Sequence, residues 1–548
     1  MVDVRSDKNF LIVVERWEMK KTARVHVNRH FRIGDISPRL YGAFLEPIGT
    51  MVNGSMYNPK HPTADDRGFR HDFIDSLKST GIPAVRLPGG NFVSGWNWKD
   101  SIGPVEKRKT QLDTAWFQYY TNEIGHDEYL KWTQLIGAEP MYTVNLGTSG
   151  LNDALHIVEY TNHKYGSYWS DLRREYGREA PYHVKTWYLG NEMDGPWQIG
   201  SWQKDPRGYG VLAHEVSKGM KWVDPTIETV ACVSSSPFLS HYPQWDLDVL
   251  AECYESVDYI SLHHYHIAAP GDYAALLGGS CFFEDYINTE IGLCDFVQTK
   301  LRLPRKMMLS FDEFGTREQA LGEILPGRGT VWEHEYDTAR EYVRHDPDHM
   351  FENKRFTRHG GMLDALTSAS TLLTLIRHAD RVKIGCMTWG LQTLAATDRN
   401  HVWKPIAYYP FQQLMKYGRG VSLQTAIECD TYDIPGYAIS HQFQYAAHKG
   451  IGFIDSAAAF SSENNELTVF VINRDWEGDR LLELEASAFE GYRFIEHIQL
   501  YSGDMDLMNT FENPKAVVPT VNTDAVCRNG KVTAVIKKLS WNVFRFGV

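Results

Sequence analysis

The chain has 548 residues, 43% of them apolar and 23% charged, the balance of a globular protein and not of a disordered one. Its formal net charge is −13, from 56 Lys and Arg against 69 Asp and Glu; with no basic run, this argues against nucleic acid or membrane as a partner. Seven scattered cysteines without a C-x-x-C pair exclude a disulfide framework and a cysteine-ligated zinc site.

The opening segment, residues 1–22, reads as an N-terminal extension. Its apolar stretch, Phe10 to Val14, ends at Glu15 and is too short for a secretory or membrane-spanning core, so a cytoplasmic protein is expected. Residues 23–36 alternate apolar and polar, which predicts a strand that joins a β-sandwich at the other end of the chain. From 37 to 417, eight apolar runs alternate with helical stretches. The runs are 40–46, 82–88, 139–146, 184–192, 227–233, 257–265, 306–314 and 381–389. Between the first two, Phe73, Ile74 and Leu77 recur at helical spacing before Gly81. Strands that are apolar on both faces and alternate with helices predict an α/β fold, a closed (β/α)8 barrel. Residues 326–355 read as an insertion after the seventh strand, either a lid or a solvated loop. Residues 418–548 give short alternating segments without helices, the pattern of an antiparallel β-sandwich.

A barrel of this kind builds its site at the C-terminal ends of its strands. Those ends carry Glu46, Arg86 with Asn91, Asn145, Asn191 with Glu192, Ser234, His263 with Tyr265, Glu313 and Trp389. Glu192 and Glu313 stand out, because each closes an apolar strand where an unpaired carboxylate is expensive to bury. They fall on strands four and seven, which face each other across the mouth. Two opposed carboxyl groups are what cleavage of a glycosidic bond requires, one as acid and one as nucleophile or base.

The segments 32–49, VRLPGGNFVSGWNWKDSIGP (85–104), WYLGNEMDGPWQIG (187–200), YISLHHY (259–265), LSFDEF (309–314), 378–386 and 417–424 resemble, in this order, family 51 of the glycoside hydrolases. These are the clan A α-L-arabinofuranosidases. The resemblance implies Glu192 as general acid/base and Glu313 as nucleophile, with Asn191 on the sugar 2-hydroxyl. It implies Glu46, Asn91, Trp197 and His263 as further substrate contacts, and Arg86 and Tyr265 as the residues that orient the nucleophile, Tyr265 serving the substrate as well. It also implies a retaining exo-enzyme that releases terminal arabinofuranosyl groups from arabino-oligosaccharides, a homo-oligomer such as a hexamer, and no metal or other cofactor. Two positions depart from the family. Arg317 stands where a wall aromatic is common, and Pro405 replaces a sugar-binding Gln, so that contact is either lost or supplied from elsewhere, Gln392 being a candidate. The departures keep open a galactofuranoside, xyloside or β-glucan as substrate. A non-catalytic sugar-binding barrel has no need of two opposed acids.

Other signals carry less. His263, His264 and His266 lack an acidic or Cys partner in the sequence, Gly89-Gly90 reads as a turn that brings backbone close to the sugar, and Ser234-Ser235-Ser236 reads as a loop.

Overall fold

The computed structural model describes residues 21–318, the strand Val343–Arg344, and residues 360–439 and 444–548. Of the suggested extension (residues 1–22), residues 1–20 lie outside the described residues and Lys21 and Thr22 open the first strand; all of the predicted insertion except Val343–Arg344 also lies outside them. Eight parallel strands close into a barrel: Gly42–Phe44, Ala84–Leu87, Glu139–Val144, Thr186–Leu189, Glu228–Cys232, Tyr259–Ala268, Met308–Glu318 and Val382–Met387. Each falls within or extends one of the eight apolar runs. Strand four is TWYL, buried at all four positions, as a strand packed on both faces must be.

The helices follow the predicted periodicity. His71–Lys78 buries Phe73, Ile74 and Leu77 and ends short of Gly81, whose φ of 71° is left-handed. Helix Met362–Arg377 is buried almost all round because it lies between the barrel and the second sheet; there Ser370 donates to Asp455 and Arg377 pairs with Asp455 at 2.8 Å.

The strand Lys21–Asp35 does join the C-terminal strands. It pairs antiparallel with Val421–Glu428 and parallel with Arg480–Glu485. Ten strands of this part, the N-terminal one included, hydrogen-bond as one sheet. The sheet folds over on itself, so Val469, Val471 and Phe544 from one wing meet Leu482, Val532 and Ile536 from the other in a common core. That is how a sandwich pattern arises from a continuous sheet.

One hairpin of the C-terminal part, in which Thr431–Ile434 pairs with His448–Gly452 and, further out, Tyr437–Ala438 pairs with Gln444–Tyr445, reaches back over the barrel mouth. The Tyr445 hydroxyl donates to the carbonyl of Tyr265 (3.3 Å) and accepts from the Ile267 N–H (2.9 Å), while Tyr437 donates to the Ile267 carbonyl (3.0 Å). The two tyrosine rings stack with centroids 4.5 Å apart, over a small core that includes Ile267, Leu276 and Ile451.

Candidate active site

Strand four ends at Leu189, and Gly190 (φ 88°) turns the chain so that Asn191 and Glu192 face the mouth. Glu192 itself has φ 45°, a left-handed conformation that costs a non-glycine residue on the order of 1 kcal/mol or more. Strand seven carries Glu313 on a bulge. Phe311 pairs with Leu262 and Glu313 with His263, so Asp312 is the extra residue. In a regular strand, neighbours point to opposite faces; the bulge lets Asp312 and Glu313 both turn into the barrel.

The result is a buried array of charges. Arg86, from strand two, donates through Nη1 to Glu313 Oε1 (2.8 Å) and through Nη2 to Asn191 Oδ1 (2.7 Å). Its Nε lies 3.1 Å from Asp312 Oδ2 as an ion pair, and its guanidinium sits between the rings of Phe44 and Tyr188. Tyr265 donates to the other oxygen of Glu313 (2.8 Å) and shares a contact with Thr388 Oγ1 (2.8 Å). Asn191 passes a hydrogen bond on to Asn91 Oδ1 (3.1 Å), which Gln198 also contacts.

Around Glu192, Trp197 Nε1 donates to Oε2 and His263 Nδ1 lies 2.9 Å from Oε1. His263 Nε2 lies 3.2 Å from Asp312 Oδ2. Burial raises Glu192 above the usual carboxylate range, and Glu313 adds to the rise against the hydrogen bonds from His263 and Trp197. For His263, burial alone favours the neutral ring. The carboxylates of Glu313, Asp312 and Glu192 outweigh it and lift its pKa to about 10. Asp312 is held below its ordinary value, since Arg86 and His263 overcome the effect of burial.

One oxygen each of Glu192 and Glu313 and a nitrogen of His263 lie within 4.8 Å of one another, a cluster that by distance alone suits a metal ion. An imidazolium bonded to carboxylates on both sides has no lone pair to give one.

Glu46, at the end of strand one, is buried beside this array. Its Oε1 accepts from the Phe92 N–H (2.8 Å) and from Trp116 Nε1 (2.9 Å). Burial, with Glu313 nearby, pushes its pKa up to about 8.

The nine residues singled out in the sequence therefore gather in one place, but some do other things there than expected. His263, expected to touch substrate, has both nitrogens committed to carboxylates. Trp197 is bonded to Glu192. Gly89-Gly90 brings backbone against Glu46, where a Cβ on Gly89 would lie 2.5 Å from Glu46 Cγ. Arg317 is exposed at the outer end of strand seven, and Pro405 packs against Gly360. Gln392 follows strand eight, and its buried Oε1 has no hydrogen-bond partner among the described residues. Asn145 folds back on its own loop, bonding Gly147 and Thr148, and Ser234 is bound by Asp246.

Sequence reasoning missed Asp312, Trp116, Thr388 and Gln198. Trp116 carries no local signal, since it sits in the turn between two short strands outside the barrel, Gln111–Asp113 and Gln118–Tyr120. Asp312 was masked by the assumption of strict alternation beside Glu313.

Comparison with known proteins places this geometry. Residues 76–275 match the α-L-arabinofuranosidase 1 domain, and residues 330–540 match the α-L-arabinofuranosidase C-terminal domain. An intracellular exo-α-(1→5)-L-arabinofuranosidase of Halalkalibacterium halodurans is 39% identical over 96% of this chain and 100% of its own length. One from Bacillus subtilis is also 39% identical, over 96% of this chain and 99% of its own. The structure of a family 51 α-L-arabinofuranosidase from Bifidobacterium longum superposes with a TM-score of 0.81 at 29% identity, covering 97% of this chain and all of that one. An arabinose complex of the Thermotoga maritima α-L-arabinofuranosidase gives 0.81 at 27% identity, covering 96% of this chain and all of that one.

Proposed function

The chain belongs to glycoside hydrolase family 51, the α-L-arabinofuranosidases, and we propose that Glu313 and Glu192 carry out its hydrolysis by double displacement. Glu313 attacks the anomeric carbon while Glu192 gives its proton to the departing glycosidic oxygen, leaving a covalent arabinofuranosyl-enzyme. Glu192, now a carboxylate, takes a proton from water, which attacks the same carbon and frees Glu313. The observation that carries this reading is the separation of the two carboxyl groups. One oxygen of Glu192 lies within 4.8 Å of one oxygen of Glu313, which brings the two groups close enough to act on one anomeric carbon by direct attack, whereas the carboxyl groups of an inverting pair stand about 6.5–9.5 Å apart to admit water. The surroundings divide the labour. Arg86 and Tyr265 fix both oxygens of Glu313, and burial raises the pKa of Glu192, which favours its acid form.

Glu46, Asn91 and Asn191 supply the polar contacts for the furanose hydroxyls in this reading. The substrates are terminal α-L-arabinofuranosyl groups on arabino-oligosaccharides, cleaved inside the cell by a homo-oligomer. The intracellular exo-acting relatives support the substrate class and the location. The test is Glu313→Ala. Turnover of a nitrophenyl arabinofuranoside is lost, and azide restores it with an azido-sugar of inverted anomeric configuration. A variant as active as the parent removes the nucleophile assignment.

A further inference from the structure

We infer that Asp312, which touches neither catalytic carboxyl group, is a positioning residue for both, because it is the shared partner of Arg86 and His263. The inference rests on the roles just proposed for Glu192 and Glu313. Asp312 is fully buried. Its Oδ2 meets Arg86 Nε (3.1 Å), His263 Nε2 (3.2 Å) and Ser261 Oγ (2.9 Å), and its Oδ1 accepts from Ser310 Oγ (3.1 Å). Each of the two cations then reaches a different catalytic group, Arg86 to Glu313 and His263 to Glu192. The bulge on strand seven makes this possible by turning adjacent acids to the same side.

Counting charges shows why the acid is needed. Without Asp312, two buried cations stand beside one catalytic carboxylate and one carboxylic acid. An unmatched buried charge is relieved by losing a proton or by moving. Arg86 does not deprotonate, so the imbalance falls on His263 and on the Arg86–Glu313 pair. The groups that face His263 are Glu192, Glu313, Asp312 and Ser261, and only Asp312 keeps a fixed negative charge while the two glutamates change state through the reaction. Asp312 therefore holds the imidazolium in place when Glu192 is a neutral acid.

The test is Asp312→Asn, which retains shape. The carboxamide oxygen fills the position of Oδ2, and the NH2 faces Ser310 Oγ, which accepts. Two substrates separate the two arms: a dinitrophenyl arabinofuranoside, whose leaving group needs no proton, and an alkyl arabinofuranoside, whose leaving group does. The expected result is a loss in kcat/KM of about 10²-fold on the dinitrophenyl substrate, through Arg86 and Glu313, and a loss at least about tenfold larger on the alkyl substrate, through His263 and Glu192. In the His263→Gln background the excess loss on the alkyl substrate disappears, because its route is already cut.

Equal losses on both substrates would mark a merely structural role, and unchanged kinetics would remove any role; either overturns the inference. If Asp312→Asn does not fold, His263→Gln alone decides, since the inference requires it to slow the alkyl substrate far more than the dinitrophenyl one. A parent enzyme inactive on both substrates would instead refute the reading of the function itself.

Discussion

The side chain of Glu46 lies against the backbone of Gly89, so close that a Cβ there would stand 2.5 Å from Glu46 Cγ and 2.7 Å from its Cβ. Gly89 also has φ 104°, outside the range that other residues adopt readily. Gly89→Ala therefore strains the turn and displaces Glu46. The expected outcome is a fall in kcat/KM of roughly 10²-fold, mostly through KM, with a lowered thermal midpoint. Parent-like values of both would show that the carboxyl group is not a substrate contact.

Glu46 also predicts a pH dependence. Its pKa of about 8 lies above the ordinary carboxylate value of 4.5, so between those values the folded protein binds a proton that the unfolded chain has released. Stability from this group is complete below pH 4.5 and is lost as pH rises through 8. Glu46→Gln removes the titration and should gain stability relative to the parent across that window, on the order of 5 kcal/mol by pH 9. Denaturant unfolding at pH 5, 7 and 9 reads the difference, and a constant offset contradicts it. In the parent, KM should rise above pH 8, where Glu46 no longer has a proton to donate.

Trp197 bonds Glu192 through its indole N–H, which favours the ionised acid. Trp197→Phe keeps the ring and removes the donor. The pKa of Glu192 then rises, and the alkaline limb of kcat/KM moves to higher pH by about half a unit while the acid limb stays. A shift in the opposite direction would contradict the role of Glu192 as acid.

At the other end of the barrel, Arg39 bonds Glu139 (2.9 Å) and Glu228 (2.7 Å), at the first residues of strands three and five. These groups are only partly exposed, with side-chain exposures of 16%, 32% and 25%. Arg39→Ala should lower stability by about 1–3 kcal/mol, measured by urea unfolding, and leave kcat within twofold. A large loss of activity at full folding would mean that the two ends of the barrel communicate.

The barrel was readable because each strand is apolar on both faces and each helix keeps one apolar stripe; TWYL, with no charge in four residues, admits few other readings. The catalytic pair was readable because acids at the ends of such strands are costly unless used. What escaped depends on contacts between distant segments. Trp116 meets Glu46 only after the loop closes, and nothing around it in sequence marks it. Asp312 was hidden by regularity itself, since strand alternation predicts that it faces away from Glu313 and only the bulge reverses that. The two roles assigned to His263 differ for a similar reason. A ring at a strand end reads as a ligand until its carboxylate neighbours are placed.

The hairpin that brings Tyr437 and Tyr445 onto the backbone of Tyr265 and Ile267 makes the barrel dependent on the remainder of the polypeptide. A chain cut after Tyr417 would retain every acid of the active site, yet it would lose the clasp on the strand that presents Tyr265. Anyone seeking a minimal catalyst from this protein has to carry that clasp along, and a transplanted barrel needs a replacement for it.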